Sequence, residues 1–216
     1  MKRVLLYSIE KQYIDKIKKQ LKKIEVRKRT LPKWALKIIS HGESVEAYAY
    51  ETIGKSFYVS EKTWEEKYPE WYGYEIFNKR GLRLISDGRG LVVVKFRVSG
   101  TTRYVDCSGC TNNENGYECQ NDFMYLLSVD PELRKATCLT PDEIEEYGNG
   151  ADLYAHHLTN IQPIDPMDID EFYIPSKDAE NVGSFGWAFE YEPFIPLKRA
   201  PQSFMTAYIK EECNNG

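Results

Sequence analysis

At 216 residues, 42% hydrophobic and 29% charged, the chain has the composition of a folded globular protein, which excludes disordered, collagen-like and fibrous classes. Its longest aliphatic run, Leu91 to Val94, is far short of the roughly 18 apolar residues that span a bilayer, so no membrane role is expected. The opening apolar stretch meets Glu10 too soon for a signal-peptide core, and five cysteines suit a reducing compartment, so a cytoplasmic location is expected. The net charge of -4 conceals a strong asymmetry: residues 1–37 carry a local charge of +10 and residues 130–180 carry -10. A basic end points to a phosphate-bearing partner, unless the two segments neutralise each other or are simply solvated faces.

In chain order, residues 3–9 read as a buried strand. Ile9, Tyr13, Ile14, Ile17, Leu21 and Ile24 then recur at helical spacing, which predicts an amphipathic helix to about residue 22 with Lys11, Lys18, Lys19 and Lys22 on or beside its polar side. Residues 24–27 alternate apolar with charged, as a half-buried strand does, and Pro32-Lys33-Trp34 breaks the pattern. Residues 45–52 read as a further strand. The aromatic-rich stretch 53–88 (Trp64, Tyr68, Trp71, Tyr72, Tyr74, Phe77) reads as an irregular insertion packed on the main fold, its rings either anchoring it or stacking unpaired bases.

The valine run after Gly90 predicts a strand buried on both faces. A loop rich in Cys and Asn covers 106–122, and 123–136 reads as one short helix. Thr140-Pro141-Asp142-Glu143 is a helix-start signature, with Thr140 as N-cap and Glu143 closing a capping box. Residues 152–165 contain the next strand and 202–211 a closing one. Short strands with a basic helix between the first two give a small α+β fold, mostly β and barrel-like, as one decorated domain over 1–216.

The stretch Gln20-Leu21-Lys22-Lys23-Ile24-Glu25-Val26-Arg27 resembles the G-x-K-x-x-E/T-x-R pattern of the ASCH family, a relative of the PUA RNA-binding barrel. Lys22, Glu25 and Arg27 match, and the glycine is replaced by Gln20. Segments 137–140, 153–158, 165–168 with 171–172, and 199–204 are similar to family members carried by phages and prophages of Gram-positive bacteria. The resemblance implies a PUA-like pseudo-β-barrel with flanking helices, and a cleft at residues 22–27 that binds RNA or a modified nucleotide. Some relatives are amidohydrolases that deacylate N4-acetylcytidine with a lysine, a threonine and a glutamate; here the threonine position is Glu25, which cannot serve as a hydroxyl nucleophile.

From the residue types themselves, Arg27 suits bidentate phosphate binding, Lys22 supplies a point charge, and Glu25 orients Arg27 or accepts from a base amino group; the alternative is a solvated ion-pair cluster. Lys18, Lys19, Lys28 and Arg29 extend the patch toward backbone phosphate. Cys107, Cys110, Cys119 and Cys138 form a weak zinc pattern with one C-x-x-C pair, His156 or His157 being able to replace Cys138, which otherwise reads as a small buried residue. The adjacent histidines point to opposite faces of a strand, and a packed structural role suits the inward one better than general-base work. The leading expectation is a nucleic-acid-binding module without an obligatory cofactor. The rivals are a hydrolase of acylated nucleosides and a phage-derived factor whose acidic segment contacts a host protein.

Overall fold

The computed structural model describes residues 1–53, 56–60, 74–79, 82–86, 88–104, 123–176 and 194–210. Among them run β1 (Lys2–Ile9), α1 (Lys11–Lys18), β2 (Ile24–Arg27), α2 (Lys33–Ser40), β3 (Val45–Glu51), β4 (Ser56–Ser60), β5 (Tyr74–Lys79), β6 (Leu82–Ser86) and β7 (Val92–Tyr104). There follow α3 (Phe123–Val129), α4 (Pro131–Thr137), α5 (Pro141–Gly148), β8 (Leu153–Met167), a 3-10 turn (Ile169–Glu171), β9 (Phe172–Pro175), β10 (Phe194–Pro196) and β11 (Phe204–Ile209). An eight-stranded sheet has the hydrogen-bonded order β10-β9-β11-β1-β3-β7-β8-β2, and a separate three-stranded sheet has the order β4-β6-β5. The fold is α+β, as expected.

The chain resolves into two compact units, 1–11 with 48–94 and 164–216, and 12–47 with 95–163; β3, β7 and β8 contribute residues to both. In the first unit β1 pairs antiparallel with β11, from Lys2 opposite Ile209 to Tyr7 opposite Phe204. Val4, Leu6, Tyr48, Val92, Phe172, Leu197 and Ala207 form its core, with Tyr48 edge-on to Phe172 at 5.2 Å. β6 pairs antiparallel with both β4 and β5, so the described parts of 53–88 are more regular than their polar, glycine-bearing sequence predicts. In the second unit Ile24, Val26, Tyr104, Phe123, Leu127, Ile144, Leu153 and Ala155 bring β2 and β8 together with α3 and α5.

Several boundaries depart from the periodicity. α1 stops at Lys18 rather than near 22 because Gln20 takes a left-handed φ of 56°: its N–H donates to Ile17 O and that of Leu21 to Lys16 O, a Schellman ending. Pro32 opens α2 rather than breaking structure, since a proline's missing N–H costs nothing at a helix start. Asp130-Pro131 divides the helix expected over 123–136 in two, with Asp130 accepting from the N–H groups of Glu132 and Leu133. β9 and β10 were not foreseen, being too short to show a period. The capping box at Thr140 and Glu143 forms as expected.

Candidate functional site

β2 is the last strand of its sheet and pairs antiparallel with β8 only, with Glu25 opposite His156 and Arg27 opposite Tyr154. The expected alternation of buried and exposed residues is absent, because all four residues of β2 are buried. Ile24 and Val26 belong to the core facing the helices, which puts Glu25 and Arg27 on the other face of the strand. The Schellman turn ahead of the strand carries Lys22 inward, and the Lys23 N–H donates to Ala136 O at 2.7 Å.

The three motif residues form one chain of charge. Glu25 Oε1 accepts from Arg27 Nη2 at 2.8 Å, and Glu25 Oε2 lies 3.5 Å from Lys22 Nζ with no closer hydrogen-bond donor among the described residues. Exposure is 2% for Lys22, 6% for Glu25 and 8% for Arg27, so the three form an enclosed group and not the open cleft that the resemblance implies. Lys22 Nζ also donates to Thr137 O at 2.6 Å, at the carbonyl end of α4, and stands 5.1 Å from the Tyr13 ring centre. Lys16 stands at the same distance from that ring and donates to Cys138 O at 3.4 Å, so two lysines cap one helix end where the helix dipole favours cations.

Burial lowers the Lys22 pKa from its ordinary value, partly offset by the Glu25 carboxylate. His156 is fully buried, and desolvation together with the nearby Arg27 charge lowers its pKa to about 3, so it is neutral at physiological pH. The ring is hydrogen-bonded to the backbone of Arg29. An imidazole so depressed is a poor proton acceptor, and the packed role stands over general-base work. His157 points to the opposite face, within 2.9 Å of Thr102 Oγ1, and Gly100 lies close enough to its ring that a Cβ there would sit 3.4 Å away.

Among the other expected site residues, Lys18 ends α1 and Lys19 is exposed just beyond it. Lys28 and Arg29 are exposed where β2 ends, with Lys28 Nζ 5.3 Å from the ring centre of Tyr147 on α5. Lys28 and α5 are remote in the chain, so nothing in the spacing joins Tyr147 to Lys28; a tyrosine one turn after the apolar Ile144 was the only signal.

Cys107, Cys110 and Cys119, and the rings of Trp64, Trp71, Tyr72 and Tyr74, lie outside the described residues and side chains. Cys138 is not the small buried residue expected: it is partly exposed, caps α4 at a left-handed φ of 54°, and donates from Sγ to Lys135 O at 3.3 Å. Among the described residues no group of His, Cys, Asp or Glu is arranged to hold a metal ion. No helix among them is long and apolar enough to cross a membrane.

No family model matches the chain, and no curated protein sequence does. Solved structures that it resembles include the ASCH protein of Zymomonas mobilis, at 13% identity and a TM-score of 0.43, covering 93% of this chain and 85% of that one. Two single-residue variants of the same protein give the same identity and TM-score, with 85% and 87% of their chains covered.

Proposed function

We propose that the chain is an ASCH-like module that binds nucleic acid, RNA foremost, or a modified nucleotide through Lys22, Glu25 and Arg27, with Lys28 and Arg29 drawing phosphate toward them. The observation that carries this reading is the buried ionic cluster of Lys22, Glu25 and Arg27. Burying three charges costs several kcal/mol per ion before their attraction offsets it, and an apolar trio of the same size avoids that cost. Perturbed, enclosed charges of this kind concentrate at functional sites. A base amino group offers Glu25 Oε2 a donor closer than the Lys22 ammonium at 3.5 Å, and Arg27 suits an adjoining phosphate. Enclosure favours a single nucleotide or an unpaired base over a duplex, because only a small planar group reaches the carboxylate.

The test is fluorescence anisotropy with short single-stranded RNA, duplex RNA and duplex DNA at low and moderate salt. It compares the wild type with Lys28→Ala/Arg29→Ala, which touches only exposed residues, and with Lys22→Ala/Arg27→Ala after its folding is checked by circular dichroism. Salt-sensitive binding that both variants weaken supports the reading, since phosphate contacts release counterions. No binding of any probe by the folded wild type sinks it and leaves the acidic segment, with a protein partner, as the surface to pursue.

A second reading rests on the lowered Lys22 pKa beside Glu25. A lysine held toward its neutral form next to a carboxylate is equipped to move the protons of an amide hydrolysis. Water adds to the acyl carbon, the C–N bond breaks, and the amine leaves protonated as the carboxylate product forms. Turnover of N4-acetylcytidine to cytidine and acetate, abolished by Lys22→Ala, would establish this reading.

A further inference from the structure

We propose that Tyr147 and Lys28 form a stacking subsite for one unpaired base of a single-stranded nucleic acid, flanking the nucleotide held at Lys22, Glu25 and Arg27; the inference rests on the binding reading above. Six large hydrophobic residues are exposed among the described ones, and of these only Tyr147 carries an aromatic ring. It sits on the last turn of α5, one turn after the buried Ile144, with 37% of its surface exposed and Lys28 Nζ 5.3 Å from the ring centre. A partly exposed ring with a mobile-stemmed lysine over one face and an exposed arginine next in sequence is a pairing that suits single-strand binding: the base stacks on the ring, taking the lysine's place where the two compete, while the cations take the adjoining phosphate.

Strand geometry supplies the second argument. Glu25 and Arg27 share one face of β2, whereas Ile24 and Val26 share the other, which packs on Ile144 of α5; Lys28 stands in the bend just past the strand with its Nζ over the Tyr147 ring of the same helix. A ligand touching both Arg27 and Tyr147 must therefore turn around the end of β2. That route is open at this end: β2 is the last strand of its sheet, it ends at Arg27, and residues 28–30 are exposed, while its beginning is closed by the Lys23 bond to α4. A flexible single strand can make the turn within one or two nucleotides, and a stiff duplex cannot.

The test uses a labelled four-nucleotide RNA, its DNA counterpart, the same RNA sequence as a duplex, and a mononucleotide, with Tyr147→Ala, Tyr147→Trp and Lys28→Ala. Tyr147→Ala should weaken the tetranucleotides about tenfold or more, by a similar factor for RNA and DNA because stacking reads only the base, and by a smaller factor for the mononucleotide. Tyr147→Trp should retain tetranucleotide affinity. Lys28→Ala should reduce the slope of log affinity against log salt by about 0.7. An abasic position flanking the held nucleotide should lose the same factor as Tyr147→Ala, and the two together no more than either alone. If Tyr147→Ala binds the tetranucleotides like the wild type while Arg27→Ala loses them, the subsite is wrong and the cluster reading stands. If the folded wild type binds neither tetranucleotide nor mononucleotide, both are wrong.

Discussion

Glu25 is a carboxylate between two buried cations, and its removal separates the electrostatic role of the cluster from any packing role. Glu25→Ala leaves Lys22 and Arg27 enclosed without their countercharge, an arrangement that costs about 3–5 kcal/mol. Lys22→Met keeps the aliphatic length, leaves the Glu25–Arg27 pair intact and forfeits the bond to Thr137 O, so its cost should be smaller. Urea unfolding of the two variants checks the order, and equal losses would mean that the carboxylate is not the keystone. Gln20 gives a prediction of the opposite sign. α2 ends on the same Schellman pattern as α1, but with Gly42 at a φ of 82° where α1 has Gln20 at 56°. Gln20→Gly should therefore stabilise the protein by about 1 kcal/mol, read as a raised melting temperature, because a side chain at positive φ crowds the backbone. Lys22, Glu25 and Arg27 were legible because they are neighbours in sequence. Thr137, Tyr13 and His156 were not, because each joins the cluster from a different element.

At the scale of elements, legibility follows how many residues share one signal. The Thr140 cap needed four residues and formed as read: the Thr140 N–H donates to Glu143 Oε2 at 2.7 Å, and the Glu143 N–H donates to Thr140 Oγ1 at 3.2 Å. The hydrogen bond from the Thr140 backbone lowers the Glu143 pKa, so the box is intact above the ordinary glutamate range and is lost as pH falls through the lowered value. Thr140→Ala should cost about 1 kcal/mol in a thermal melt at pH 7, and less once Glu143 is protonated. The turn from Gly88 to Gly90, just ahead of the valine run, is tightly built. The buried Glu51 accepts from the Arg89 N–H at 2.9 Å, Gly90 N donates to Glu51 O, and a Cβ on Gly88 would fall 1.8 Å from Thr52 O. Backbone cannot yield as a side-chain tip can, so Gly88→Ala should destabilise by about 2 kcal/mol or more, with Gly88→Ser no better; a melting temperature like that of the wild type would show the approach to be looser. The helix α2 was hidden for a related reason: a proline at its start carries the same letter as a proline that breaks one.

For the molecule as a whole, the charge asymmetry is partly resolved within one unit, where Tyr13 Oη donates to Glu143 Oε1 at 3.4 Å and the Lys16 charge helps to lower the Glu143 pKa. The basic α1 and the acidic α5 thus answer each other in part, while Lys28, Arg29 and Lys33 remain exposed around the end of β2 and the start of α2. This leaves salt to act chiefly on binding and acid to act on folding, and His156 is where acid should act most. Its pKa is about 3 in the folded chain against an ordinary 6.5, so between those values the unfolded chain binds a proton that the folded chain refuses. Stability should therefore be full above about pH 6.5 and fall as pH drops toward 3, by up to about 1.4 kcal/mol per pH unit from this residue. Protonating the ring in the folded chain would add a cation beside Arg27, so ligand binding by the molecules still folded should fail only near pH 3, where the ring takes its proton. Urea unfolding at pH 7, 6 and 5, repeated with His156→Gln, separates this contribution from that of the carboxylates. A slope that persists unchanged in the variant would place the acid sensitivity elsewhere, and a slope that flattens would assign it to the buried neutral imidazole of His156.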